Sequence, residues 1–173
     1  MKKVSIYILS VCTAVGVFSC NKILETNPKE AIDLGIATKS KDAIKASIIS
    51  VYASMRSTGY YGRDYIVQNE VLGDNGEITS SNSNRFVSES NNAVRAQVGI
   101  WNTCYINIFR CNFIIKYIQE IKGFTAEERE QLLGEAHFLR AYNYFDLVRS
   151  YARNPRFTYS FDLGVPIVLD ANL

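Results

Sequence analysis

The chain has 173 residues, 47% of them hydrophobic and 21% charged, with 19 Lys+Arg against 17 Asp+Glu. That length allows a sizeable core and is a prior for one domain; the composition excludes wholesale disorder, and three prolines exclude a Pro-rich or collagen-like chain. A formal charge of +2 is too small to argue for nucleic acid, and four cysteines with one histidine are poor material for a zinc site.

Lys2 and Lys3 open the chain, and Val4 to Phe18 then run almost without polar interruption. A helix of that length spans about 22 Å, short of the roughly 30 Å hydrocarbon core, so the stretch reads as an export signal rather than a spanning helix. It ends Val17-Phe18-Ser19-Cys20, which resembles the bacterial lipobox, where the cysteine is acylated and becomes the first mature residue. Two or more acyl chains on Cys20 make a stable anchor. Removing residues 1–19 takes Lys2 and Lys3 from the 19 basic residues, leaving 17 against 17 acidic ones, so the mature part is formally neutral. Cys104 and Cys111, seven apart on a helix, lie about 10.5 Å from each other along its axis, too far for a disulfide, and read as buried apolar residues. No cofactor or metal is expected.

Residues 20–39 read as a tether. A first helix is expected over Lys41–Arg56, with Ser40 as N-cap, Ile44, Ile48, Val51, Tyr52 and Met55 on one stripe, and Gly59 as its stop. Tyr60 to Asn92 departs from this pattern. It opens Tyr60-Tyr61-Gly62, carries a short apolar piece from Tyr65 to Leu72, and from Gly73 to Asn92 has 14 of 20 residues as Gly, Ser, Thr, Asn or Asp. A polar stretch of that length inside a domain is disordered or functional.

A second helix is expected over Ala93–Lys122, with a seam through Trp101, Cys104, Ile108, Cys111, Ile115 and Ile118. Asn112 falls on its apolar side, where a buried amide needs partners. Thr125-Ala126-Glu127-Glu128 is a capping box opening a third helix, apolar on more than one side through Leu132, Ala136, Phe138, Leu139, Tyr142, Phe145, Leu147 and Val148. His137 lies on that wide face and reads as a core histidine. After Asn154-Pro155, Leu163 to Leu169 is a short extended segment that would ordinarily pair with something. The chain is therefore expected to be the front part of a longer protein, and uncovered apolar helix faces are expected to make residues 20–173 poorly soluble alone.

Several of these pieces together resemble the SusD/RagB family of Bacteroidetes nutrient-uptake lipoproteins. They are the lipobox cysteine with Leu24-Glu25-Thr26-Asn27-Pro28, and Trp101-x3-Tyr105-x2-Ile108-x3-Asn112-x2-Ile115. The most specific is Glu135-Ala136-x2-Leu139-Arg140-Ala141-x2-Tyr144-Phe145-x-Leu147-Val148-x2-Tyr151, followed by Gly164-x-Pro166-Ile167. The resemblance implies an all-α, tetratricopeptide-like scaffold with long ligand-presenting loops, of which this chain is the N-terminal portion. The domain reading is thus signal peptide 1–19, lipidated tether 20–39 and helical domain 40–173. It also implies a non-enzymatic lipoprotein of the outer membrane, exposed at the cell surface. Such a protein binds oligosaccharide and passes it to a SusC-like TonB-dependent outer-membrane transporter. Trp101, Tyr105, Ile108, Asn112, Leu139, Arg140 and Tyr144 match the scaffold pattern and are read as packing and helix–helix hydrogen bonding.

Sugar recognition needs flat aromatic faces and planar hydrogen-bonding groups. The polar loop supplies both, and Tyr60, Tyr61, Asp74, Asn75, Arg85 and Phe86 are its candidate ligand residues, although no tryptophan lies there. The alternatives are a helical-repeat scaffold whose partner is another protein, and an enzyme whose catalytic groups lie beyond Leu173.

Overall fold

The computed structural model describes residues 40–93, 99–157 and 163–171. The export signal, Cys20, the tether and Val94 to Val98 of the expected second helix lie outside the described residues. Those described are all-α: α1 (Lys41–Met55), α2 (Asp64–Leu72), the single turn α3 (Val87–Ser90), α4 (Trp101–Tyr117) and α5 (Ala126–Tyr151), followed by a 3-10 turn at Pro155–Phe157. None of these helices is long and apolar enough to cross a membrane.

Local signals fix the helix starts. The Ser40 hydroxyl accepts from the Ala43 amide, and in the Thr125 capping box the hydroxyl and the Glu128 carboxylate take each other's backbone amides, at 3.1 Å each. Glu128 also binds Lys41 at 2.6 Å and Lys45 at 3.1 Å, joining the starts of α1 and α5. Lys41 first, then the Thr125 amide and Lys45, holds its carboxyl down at about 2.

α1 ends at Met55, one residue before expected, capped by Arg56 rather than stopped by Gly59. α4 is shorter at both ends than expected. Ala93 is not helical, and α4 starts at Trp101, whose amide donates to Tyr151 Oη at 3.0 Å from the far end of α5. It stops at Tyr117 because Arg129 of α5 takes the carbonyls of Ile118 and Ile121, groups that further helix would have needed.

α4 and α5 form an antiparallel hairpin, and α1 packs on both alongside α5. One core is built from Ile44, Ile48 and Val51 of α1, Cys111, Ile114 and Ile118, and Leu132, Ala136 and Leu139. A second holds Tyr60, Tyr65, Ile100, Cys104, Ile108 and Leu147. Both expected cysteines are buried free thiols, pushed up by desolvation to about 11 at Cys104 and about 12 at Cys111.

Three side-chain expectations are corrected. Tyr52 and Trp101 are partly exposed at the edges of their stripes rather than centred in the core. His137 is exposed, its Nδ1 facing Arg140 Nη2 at 3.3 Å, and is not a core histidine. The second apolar side of α5 is uncovered among the described residues, with Phe138 61% and Phe145 56% exposed, because α1 and α4 pack on the face that carries Ala136, Leu139 and Leu147.

Residues 163–171 run extended across the hairpin, and the motif side chains hold them. Tyr105 Oη donates to Pro166 O at 2.8 Å, while Tyr144 Oη donates to Val168 O at 2.8 Å and faces the Val168 amide at 2.6 Å. Asn112, 2% exposed, donates to Val168 O at 2.8 Å and Asp170 O at 3.3 Å, and accepts from Arg140 Nη1 at 2.9 Å. The buried amide thus finds the partners its position demanded. These hydrogen bonds tie the hairpin to the extended segment as well as helix to helix.

Candidate functional site

The segment from Arg56 to Asn92 folds back on the hairpin in three steps. First, the turn after α1 is wound tightly: Tyr61 N donates to Met55 O and Gly62 N to Ser57 O, both at 3.0 Å, and Asp64 N to Thr58 O at 2.9 Å. Only glycine fits at position 62, where a Cβ would lie 2.6 Å from the carbonyl oxygens of both Arg56 and Ser57.

Second, the short apolar piece Tyr65–Leu72, to which the sequence assigned no secondary structure, is helical as α2. Its stop is a Schellman motif, with the Asn75 amide on Glu70 O, the Asp74 amide on Val71 O, and Asp74 left-handed at φ 57°. Asp74 and Asn75, both exposed, therefore have a local role in ending α2.

Third, the chain returns through a loop of left-handed residues, Ser83, Asn84 and Phe86, into the short turn α3. Asn82 Nδ2 caps Arg85 O, and Gln68 Nε2 of α2 donates to Glu89 Oε1 of α3 at 3.0 Å. Asn tolerates φ > 0, whereas Phe86 at φ 58° bears a cost of about 1–2 kcal/mol that its half-buried ring helps to offset.

Between α2 and this loop lies an open groove of about 490 Å³, walled by Ile66, Glu70 and Val71 on one side and Glu77, Arg85 and Phe86 on the other. Its size lies within the roughly 300–1,000 Å³ of small-molecule sites. The groove offers an apolar floor, one aromatic ring, two carboxylates and a guanidinium, the groups a polyol ligand uses. A smaller, more polar recess of about 260 Å³ adjoins it at Ile78 and Thr79 and is lined also by Asn84 and Asn91. Of the six loop residues singled out by sequence, Arg85 and Phe86 line the groove, while Asp74 and Asn75 stand just beyond the end of its α2 wall.

Tyr60 and Tyr61 lie elsewhere. Tyr60 is wholly buried and donates to Asp146 Oδ2 at 2.6 Å; Tyr61 donates to the same oxygen at 2.7 Å, and Tyr65 to Oδ1 at 3.0 Å. Tyr142 Oη stands 2.8 Å from Tyr61 Oη, and the Cys104 thiol faces Tyr60 Oη at 3.5 Å. Asp146 is itself wholly buried on α5. An ionised carboxylate only accepts hydrogen bonds, so three phenol donors suit it well. Burial, then the hydrogen bonds to Asp146, to the Cys104 thiol at Tyr60 and to Tyr142 at Tyr61, pushes both phenols far above the usual tyrosine range. Asp146 had fallen on an unspecified position of the third-helix motif. The available signal was a lone acid between Phe145 and Leu147 in an otherwise apolar run.

Comparison with known proteins places the chain in a family. A family model described as SusD-like, starch-binding associating with outer membrane, matches residues 22–172. Among curated proteins of Formosa agariphila, SusD-like protein P38 is 28% identical over 91% of this chain and 31% of its own length. SusD-like protein P25 is 23% identical over 90% of this chain and 32% of its own length. The chain thus spans about a third of the length of these relatives. No solved structure is significantly similar to it. The chain belongs to the SusD-like family.

Proposed function

We propose that this chain is the N-terminal part of a cell-surface glycan-binding lipoprotein, anchored through acylated Cys20, that captures oligosaccharide and delivers it to a TonB-dependent outer-membrane transporter. The supporting observation is the groove of about 490 Å³ beside α2 in a chain whose family is described as starch-binding. Phe86 offers its face to the C–H side of a sugar ring, Arg85, Glu70 and Glu77 take hydroxyls, and Asp74 and Asn75 contribute at the rim. Tyr60 and Tyr61 serve the site from beneath by seating α2. The role is capture without catalysis.

The test is a glycan array with the intact protein, followed by titration of the strongest ligand against Arg85→Ala and Asp74→Gly. Glycine keeps the left-handed helix stop while removing the carboxylate. Loss of a charge-assisted hydrogen bond predicts at least about tenfold weaker binding for Arg85→Ala. Unchanged affinity in both variants for a confirmed ligand removes these residues from the site. The exposed Phe138 and Phe145 face of α5 favours a second reading, a scaffold for another protein. An array without any glycan signal, together with capture of a protein partner that Phe138→Ser abolishes, would favour that reading.

A further inference from the structure

α2 walls the groove, yet its backbone approaches none of the three large helices closely; its helix neighbour among the described residues is the single turn α3. What joins it to the hairpin is side-chain reach. Tyr60 and Tyr61 in the preceding turn and Tyr65 in its first turn span the gap, and all three hydroxyls end on one carboxylate, Asp146. Their rings pack together, with centroids 4.7 to 5.5 Å apart, so the three act as one unit. One residue later, Ile66 lines the groove, followed along α2 by Glu70 and Val71. A tilt of α2 released at Asp146 therefore moves the groove wall directly.

We propose that Asp146 is a positioning residue for the groove. Through the three tyrosines it locks α2 onto the hairpin and sets the spacing between Ile66, Glu70 and the facing Arg85 and Phe86. The inference rests on the groove being the ligand site, but the lock itself is measurable without a ligand. Asp146→Asn keeps the volume and replaces one acceptor oxygen with a donor, which cannot serve all three hydroxyls. Tyr61→Phe removes one donor and leaves both carboxylate oxygens engaged.

The experiment is amide hydrogen exchange on the intact protein and both variants, comparing residues 64–72 with residues 104–115 of α4, alongside titration with maltoheptaose. Hydrogen bonds to a charged group predict at least about tenfold faster exchange across α2 in Asp146→Asn, a smaller rise in Tyr61→Phe, and unchanged rates in α4. Adding Tyr61→Phe to Asp146→Asn brings little further change, because the shared partner is already gone. Maltoheptaose affinity falls in Asp146→Asn by the factor by which the fraction of molecules with α2 seated falls. Unchanged α2 exchange, equal acceleration of α2 and α4, or full affinity despite a loosened α2 overturns the proposal. A wild-type protein that binds no glycan overturns the groove reading instead, and the exchange comparison still decides whether Asp146 holds α2.

Discussion

Asn112 joins α4 to α5 and to residues 163–171 through three hydrogen bonds, and its replacement is quantifiable. Asn112→Ala removes two donated bonds, to Val168 O and Asp170 O, and the bond accepted from Arg140. Val168 O keeps Tyr144, so the loss there is one ordinary bond of about 1 kcal/mol. Arg140 loses the acceptor of its Nη1, which adds about 1.5–3 kcal/mol for a charged donor. The expected destabilisation is about 3 kcal/mol, read as a lower urea midpoint with little change in slope. Asn112→Asp separates the contributions. It keeps the volume and improves the pairing with Arg140, but turns an oxygen toward Val168 O where a donor stood. The aspartate variant should therefore be destabilised less than the alanine one, with its extended segment released and proteolytically sensitive near residues 163–171. A loss under about 0.5 kcal/mol for Asn112→Ala would refute the reasoning, since a surface substitution costs no more.

Three further outcomes follow from the same structure. Gly62→Ala forces a Cβ against two backbone carbonyls, and should cost about 1–3 kcal/mol in denaturant titration; a neutral result would show that the turn after α1 can relax. Glu128, held down at about 2 by Lys41, has a carboxylate pKa below its unfolded value, so its contribution is present above about 4.5 and disappears as pH falls toward 2. Glu128→Gln should flatten that part of the melting-temperature profile, and an unchanged acid limb would contradict the pairing. Cys104 and Cys111, buried with thiols pushed up to about 11 and about 12, should resist alkylation at pH 8 until denaturant is added. Peptide mapping that found either one labelled in the native protein would count against this packing.

Much of the helical frame was legible because its signals are local. Ser40, the Thr125–Glu128 box and the stripe of Ile44, Ile48 and Val51 act within a few residues, and α1 and α5 fall where these place them. Asn112 was legible as a problem, a buried amide, though its solution lies more than fifty residues along the chain. The late start of α4 was not, because Tyr151, which takes the Trp101 amide, lies fifty residues away, and at its other end Arg129, though only eight residues from Ile121, looks like any helix arginine.

The site divides the same way. Arg85 and Phe86 were singled out from the chemistry of their loop, and both border the candidate groove. α2 was hidden by its nine residues, too few for a clear period, although Leu72 was rightly the last of its apolar run. Tyr60 looked like a sugar platform because a Tyr-Tyr-Gly turn reads as exposed. Its burial depends on Asp146, which is 86 positions away. Residues 1–39, with Cys20, lie outside the described region, so the anchor belongs to the proposal.

The central claim is that ligand lies in the groove between α2 and the returning loop. The most direct measurement is a protection footprint on the intact protein with and without a saturating glycan identified on the array. Slowed amide exchange confined to residues 66–86, and lost in a Phe86→Ala variant, is the expected result. Protection centred on the exposed Phe138 and Phe145 face of α5, with residues 66–86 unchanged, would contradict it.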